Sequence, residues 1–228
     1  MRLTDQPTMR PLDHPTLDDL LSVLRDASSS DVYHIQRAYD IAERAHHGQQ
    51  RDEGTPFIAH PLRVACIVAQ ELRHREPDLI CGALLHDVVE DSAITLAEIA
   101  EACGDTVAYY VELLTKEKAP SDADKRPINR RYIRRIADTS REALLIKLAD
   151  RLDNLRSLQW LDDWDKRKKY LLETYWLYLP PAQKTNHYIY TQYIQLVGDY
   201  MRRDHARLGL RIDDYPELMG GVETRRNT

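Results

Sequence analysis

The segment that most restricts what this chain can fold into is PDLICGALLHDVVEDS, residues 77–92. Read as a helix of about 100° per residue, it puts Cys81, Leu84, Leu85, Val88 and Val89 on one side. His86, Asp87, Glu90 and Asp91 then fall within the opposite arc, roughly 140° wide. Such a helix has to bury its apolar side in a core. Its other side gathers three carboxylates and an imidazole, and like charges at helical spacing destabilise a helix. A positive charge is therefore expected between them. Taken alone, the same pattern is also that of an ordinary solvated helix face, so other segments have to discriminate.

A second segment, ALLIKLADRLDNLRSL at 143–158, repeats the design. Leu144, Leu148, Leu152 and Leu155 recur at i, i+4, i+8 and i+11 as a core stripe, while Lys147, Asp150, Asn154 and Ser157 align within about 80° on the far side. That edge is either plain polar surface or the edge of a helix facing a phosphate or a metal. A third segment, HPLRVA, places His60 at a helix start beside Pro61, where a lone histidine is ordinarily structural. Together, His60, His86, Asp87 and Asp150 supply two imidazoles and two carboxylates from three separate helices. That donor set suits a divalent first-row metal such as Mn, Fe, Ni or Zn, and all-α cores build metal sites from facing helices.

With only 8 glycines in 228 residues and helix formers throughout, the chain is expected to be all-α. No clear linker divides it, which favours a single domain. A net charge of −5 argues against a general nucleic-acid binder but leaves room for a small anionic ligand. No window is apolar enough to span a membrane, and the first residues lack the apolar core of a secretory signal. Cys66, Cys81 and Cys103 lie in apolar helical patterns and are odd in number, as buried free thiols of a reducing, cytoplasmic protein would be. Residues up to about Ser30 read as an irregular arm with one short helix at TLDDLLSVLRD. Asp31 is expected to cap a helix carrying Ile35, Ala38, Ala42 and Ala45 and stopped by Gly48. Pro61 opens the next, with Val64, Ala65, Val68 and Leu72 as its buried stripe, and Pro77 opens the one after. Thr95 to Glu98 form a capping box, Gly104 closes that helix, and Asp105 caps another ending near Leu114. Helices resume near Ile128 and Arg141. Two more follow Trp160, broken by Pro180 and Pro181, before a loose tail from Asp213.

The segments RAHHGQQRDEGTPFIAHPLRVA, GALLHDVVEDS, LLTKEK, LIKLADRLDNLRSL and ETYWLYLP occur here in the order found in the hydrolase domain of the RelA/SpoT homologues. The chain resembles that family, HD-superfamily enzymes that remove the 3′-pyrophosphate of (p)ppGpp, over about residues 31–181. The resemblance implies an all-α, HD-domain multi-helix bundle: an arm at 1–30, the hydrolase domain at 31–205 and a tail at 206–228. The several hundred residues of the family's synthetase and regulatory domains have no counterpart here, so a stand-alone small alarmone hydrolase of the Mesh1 type is expected. The resemblance makes His60, His86, Asp87 and Asp150 ligands of one Mn²⁺, and Glu90 and Asp91 the catalytic carboxylates. It sets Arg51 against the guanine base and Asn154 near ribose and phosphate. Ser157 stands where the family often has threonine. Tyr178, with Pro180, would line the pocket, and Lys116 and Arg130 would contact phosphate. The implied partner is a guanine nucleotide, with neither nucleic acid nor membrane, and the oligomeric state is left open. One departure stands out: after Arg51 the family usually has a basic residue, and here Asp52 and Glu53 follow. That widens the substrate question to other phosphorylated nucleotides such as NADPH. A reading of another class is a non-catalytic or antitoxin-type partner of a small alarmone synthetase, against which the retention of all four ligand positions and both carboxylates speaks.

Overall fold

The computed structural model describes residues 15–51, 54–116, 125–215 and 218. Their helices are α1 (Leu17–Val23), α2 (Ser29–Ala45), α3 (Ala59–Cys66), α4 (Pro77–Leu85), α5 (Val88–Asp91), α6 (Leu96–Cys103), α7 (Asp105–Leu114), α8 (Lys125–Thr139), α9 (Arg141–Ser157), α10 (Trp164–Glu173), α11 (Leu179–Thr185) and α12 (His187–Leu208). Among the described residues there is no β-strand, only the isolated bridge Gln50–Pro56 in the loop before α3. None of these helices is long and apolar enough to cross a membrane.

The fold is organised around α9. Leu144, Leu145, Ile146, Leu148, Ala149, Leu152 and Leu155 are all buried, so its apolar surface extends well beyond the expected stripe, and α3, α4, α7, α8 and α12 pack on it. Tyr193 of α12 donates its hydroxyl to the Leu148 carbonyl at 2.6 Å, joining the two helices inside the core. Truncating a fully buried leucine such as Leu148 is expected to cost about 2–5 kcal/mol. Gly82 lets α4 approach α9 closely, since a Cβ there would lie 2.9 Å from Ile146 Cδ1. A single hydrophobic cluster runs through the helices and includes Leu20 and Leu24, so the expected arm already joins the core at α1. The three cysteines are buried and free.

Several helix boundaries differ from the sequence expectation, each for a local reason. Ser28, not Asp31, caps α2; Asp31 is the reciprocal member of a capping box. Gly104, at φ 85°, is the junction between α6 and α7, and Asp105 is the first residue of α7 rather than its cap. The capping box of Thr95 and Glu98 forms as expected. α8 begins at Lys125, ahead of Ile128. Pro180 and Pro181 lie in the first turn of α11, where a missing N–H is harmless. The chain turns instead at Asn186, whose side chain caps α12. Of the tail, Asp213 and Asp214 belong to a short 3₁₀ turn and Leu218 is buried, while residues 216–217 and 219–228 lie outside the described residues.

The most consequential difference is in the opening segment. It is not one helix: α4 ends at Leu85, His86 and Asp87 form a turn, and α5 is a single turn from Val88 to Asp91. His86 Nδ1 takes the Ala83 carbonyl at 2.8 Å, the group that the Asp87 N–H would use in an unbroken helix. The Asp87 carbonyl then receives the N–H groups of both Glu90 and Asp91. The break turns His86 and Asp87 into the core and leaves the two acids of α5 at its rim, with Glu90 half-buried and Asp91 exposed.

Candidate active site

Three segments bring four side chains to one point. α3 contributes His60, the α4–α5 turn contributes His86 and Asp87, and α9 contributes Asp150. His60 Nε2 lies 3.3 Å from Asp150 Oδ1 and 3.6 Å from Asp87 Oδ2. His86 Nε2 lies 3.1 Å from Asp87 Oδ2 and 3.8 Å from Asp150 Oδ1. The two rings stand edge to face with centroids 5.1 Å apart, and both histidines are buried.

The donor set fits a divalent cation. His86 donates its Nδ1 proton to the Ala83 carbonyl, so Nε2 is the ring atom that can offer a lone pair to a cation. That nitrogen is buried and has no hydrogen-bond partner, although a carboxylate oxygen lies beside it. A lone pair facing a carboxylate oxygen needs a positive charge between them. Ligand-to-ligand distances of 3.1–3.8 Å match the edge of about 3.4 Å expected for four donors about 2.1 Å from one ion. His60, His86 and Asp150 form a compact metal-capable group, with their ligand atoms within 4.8 Å of one another.

Charge is balanced around this point. Burial opposes ionisation of Asp87, but His86 and His60 outweigh it and hold the carboxyl well below the usual range. Asp150 is likewise held low against burial, by Lys147 and His60. Lys147 Nζ sits 2.9 Å from Asp150 Oδ2. Burial disfavours its charge, yet Asp150 keeps the ammonium well above the usual lysine range. His60 also reaches Asp153: Nδ1 is 2.7 Å from Asp153 Oδ2, and Arg63 Nε is 2.7 Å from Asp153 Oδ1. Burial pushes the Glu90 carboxyl up, partly countered by the Lys116 backbone N–H that donates to Glu90 Oε1. Burial and then Asp87 push Asp91 up in the same direction.

Beside the cluster lies a cavity of about 250 Å³ lined by Gln50, Arg51, Phe57, Asn154, Ser157, Leu158, Leu161, Lys166 and Tyr170. Its mixture of flat aromatic, aliphatic and cationic groups can take a planar ring carrying anionic substituents. Arg51 lies 5.6 Å from the Phe57 ring centroid and donates to Asn154 Oδ1 at 2.7 Å. Asn154 in turn donates to Asp150 Oδ1, so cavity and metal-capable cluster share a hydrogen-bonded wall. The backbone places this wall: Arg51 N–H donates to the Thr55 carbonyl and Phe57 N–H to the Gln49 carbonyl, a tight loop presented next to α9.

The residues named from the sequence therefore divide. His60, His86, Asp87 and Asp150 converge, with Glu90 and Asp91 one turn away, and Arg51, Asn154 and Ser157 line the cavity. Lys116 bonds Glu90 through its backbone and Asn129 through its ammonium. Arg130 is exposed on α8 and is not among the residues lining the cavity. Tyr178 is buried beneath the Arg151 guanidinium, 4.3 Å from its ring centroid, rather than in the cavity wall. Asp52 and Glu53 lie outside the described residues. Sequence reasoning assigned no role to Asp153, Phe57 or Tyr170. Phe57 is the chain's one phenylalanine, the only signal that could have marked it. Lys147 and Asp150 were both visible on the polar edge of α9, but no role was assigned to the lysine.

An all-α bundle whose buried His60, His86 and Asp150 meet the half-buried Asp87 beside a cavity defines a class of protein built to hold a divalent cation next to a ligand. More particularly, the chain belongs to the HD domain family, whose profile matches residues 38–186. It is 36% identical over 177 residues to a GTP pyrophosphokinase of Streptomyces coelicolor, covering 75% of this chain and 20% of that protein. It is 37% identical over 177 residues to a guanosine-3′,5′-bis(diphosphate) 3′-pyrophosphohydrolase of Aquifex aeolicus, covering 77% of this chain and 25% of that protein. The chain thus spans a fifth to a quarter of the length of these curated relatives. A solved structure, described as a metazoan ortholog of SpoT that hydrolyses ppGpp, superposes with a TM-score of 0.65 at 26% identity, over 78% of this chain and 97% of that one.

Proposed function

We propose that this protein hydrolyses the 3′-pyrophosphate of (p)ppGpp, giving GDP or GTP and pyrophosphate, with Mn²⁺ as its cation. The observation that carries the reading is the His60/His86/Asp87/Asp150 cluster, with Glu90 at its rim and a nucleobase-sized cavity sharing its Asn154 wall. The relatives' names point to the same substrate, and the small metazoan protein, covered over 97% of its length, is described as hydrolysing ppGpp.

His60, His86, Asp87 and Asp150 hold the cation. The chemistry supplied by a divalent cation held there is neutralisation of phosphoryl oxygens and acidification of water. Arg51, Phe57 and Tyr170 hold the base, and Asn154 and Ser157 face the ribose. Glu90, whose carboxyl is made more basic by burial, accepts the proton of the attacking water. Oxygen adds to the phosphorus attached to O3′, the P–O3′ bond breaks, the ribose oxygen takes up a proton, and pyrophosphate departs. Asp91 orients the same water, and Lys147 keeps Asp150 ionised.

The test is a product assay of pure, Mn²⁺-loaded protein with ppGpp, pppGpp and NADPH. GDP or GTP and pyrophosphate should appear in equal amounts from the first two. Turnover of NADPH alone, or of none of the three, would overturn the substrate assignment.

A further inference from the structure

Asp153 accepts from His60 Nδ1 at 2.7 Å and is 2% exposed; its other oxygen accepts from Arg63 Nε at 2.7 Å. The arrangement is a two-rung ladder between helices. His60 and Arg63 lie one turn apart on α3, and Asp150 and Asp153 one turn apart on α9. The first rung contains the metal-capable atoms. The second contains a carboxylate that touches His60 from behind.

The second rung matters because His60 has a competing use for its metal-facing nitrogen. Nε2 is 3.3 Å from Asp150 Oδ1. A neutral imidazole carrying its proton on Nε2 would donate it to Asp150 and occupy both ligands with each other. His86 escapes this fate by giving its Nδ1 proton to the Ala83 carbonyl. No backbone carbonyl plays that part for His60; a charged side chain does. A carboxylate is the stronger acceptor, and Arg63 balances its buried charge so that it stays ionised.

We infer that Asp153 is a positioning residue of the metal centre: it holds a His60 proton on Nδ1, so that the proton a cation displaces is the one on Nε2 and the lone pair left there faces the cluster instead of being tied to Asp150. Partners of this kind orient ligating histidines and raise their basicity, and their loss typically weakens metal binding about 10- to 100-fold. The inference rests on the reading that these donors hold a divalent cation. It does not depend on which nucleotide is hydrolysed.

Two measurements without nucleotide test it. In Asp153→Asn, an amide replaces the carboxylate at nearly unchanged volume. Titration with Mn²⁺ against a chelating dye should give an affinity about 10- to 100-fold below wild type, with an unchanged far-UV circular dichroism spectrum. Wild-type affinity in a folded Asp153→Asn protein would overturn the inference. The second measurement needs no variant: nitrogen-15 NMR of the wild-type histidines with diamagnetic Zn²⁺ bound. His60 should carry its proton on Nδ1, with the proton resonance displaced far downfield by the carboxylate. A His60 proton on Nε2, or an undisplaced Nδ1 proton, would overturn it even if Asp153→Asn did not fold. Should the wild type take up neither ion, the metal centre itself falls, and the inference with it.

Discussion

Metal binding should strengthen with pH, because the cation has to displace a proton. In the metal-free protein, burial alone would lower the pKa of His60. Asp150, Asp153 and Asp87 together outweigh it and push the value up to about 10. The sign follows from where the proton is held more tightly. A histidine raised above its unfolded value of about 6.5 stabilises the metal-free fold fully below that pH. The stabilisation is lost as pH rises through about 10. A cation takes Nε2 only when that nitrogen is unprotonated. Between pH 6 and 8, one displaced proton therefore makes the apparent affinity about tenfold tighter per pH unit, roughly 1.4 kcal/mol each. At a fixed ion concentration that is about 100 times Kd at pH 8, binding adds about 2.7 kcal/mol. For a chain of 228 residues this corresponds to a rise in Tm of roughly 5–11 °C. The rise should shrink toward zero at pH 6. The assay is isothermal titration calorimetry with Mn²⁺ at pH 6, 7 and 8, in buffers of different ionisation enthalpy, with melting curves of chelated and loaded protein alongside. A Kd constant across this range, with no proton released to the buffer, would refute the reasoning.

Three further outcomes are expected. His86→Ala removes one of four ligands and should lose both bound metal and turnover; equal metal content in mutant and wild type by elemental analysis would contradict the site. Glu90→Gln should keep the metal and lose about 10²- to 10⁴-fold in rate. Because burial raises the Glu90 carboxyl, wild-type activity measured with Mn²⁺ kept saturating at every pH should also fall on the acid side at a pH above the ordinary glutamate value of about 4.3, a limb that the Glu90→Gln profile under the same conditions should lack. Asp52→Lys should lower KM for ppGpp with kcat nearly unchanged, an advantage that fades as salt screens it over about 10 Å at 0.1 M; a raised KM would mean that Asp52 contacts something the substrate requires.

The parts of this molecule that could be read from the sequence are those set by periodicity and by residue type. The leucines of α9, the capping box at Thr95 and the proline at the start of α4 each follow from rules acting within a turn or two, and all appear where expected. The convergence of His60, His86, Asp87 and Asp150 was also legible, because their donor types on three separate helices, read together with the order of the family segments, single them out from ordinary helix faces. What escaped was decided by contacts between segments distant in sequence or by side chains competing with the backbone. The break after Leu85 depends on His86 capturing a backbone carbonyl, which no hydrophobic pattern reports. Asp153 lies 93 positions from the histidine it holds and looks like one more acid on a charged helix. Tyr178 was placed in the pocket by the family resemblance, through its Tyr-x-Pro element. The Arg151 side chain, buried between the rings of Tyr170 and Tyr178, shows instead that this aromatic pair clamps a cation.

The hydrogen-bonded line from Arg51 through Asn154 to Asp150 gives the cavity and the cation site a shared wall through which each can act on the other. A base that draws Arg51 away from Asn154 alters the set of donors around Asp150, and a cation that withdraws electron density from Asp150 alters the grip of Asn154 on Arg51. Linkage requires the two effects to be equal: whatever factor the cation contributes to nucleotide affinity, the nucleotide returns to cation affinity. Where that shared factor exceeds one, a ligand in the cavity recruits its own cation when the ion is scarce.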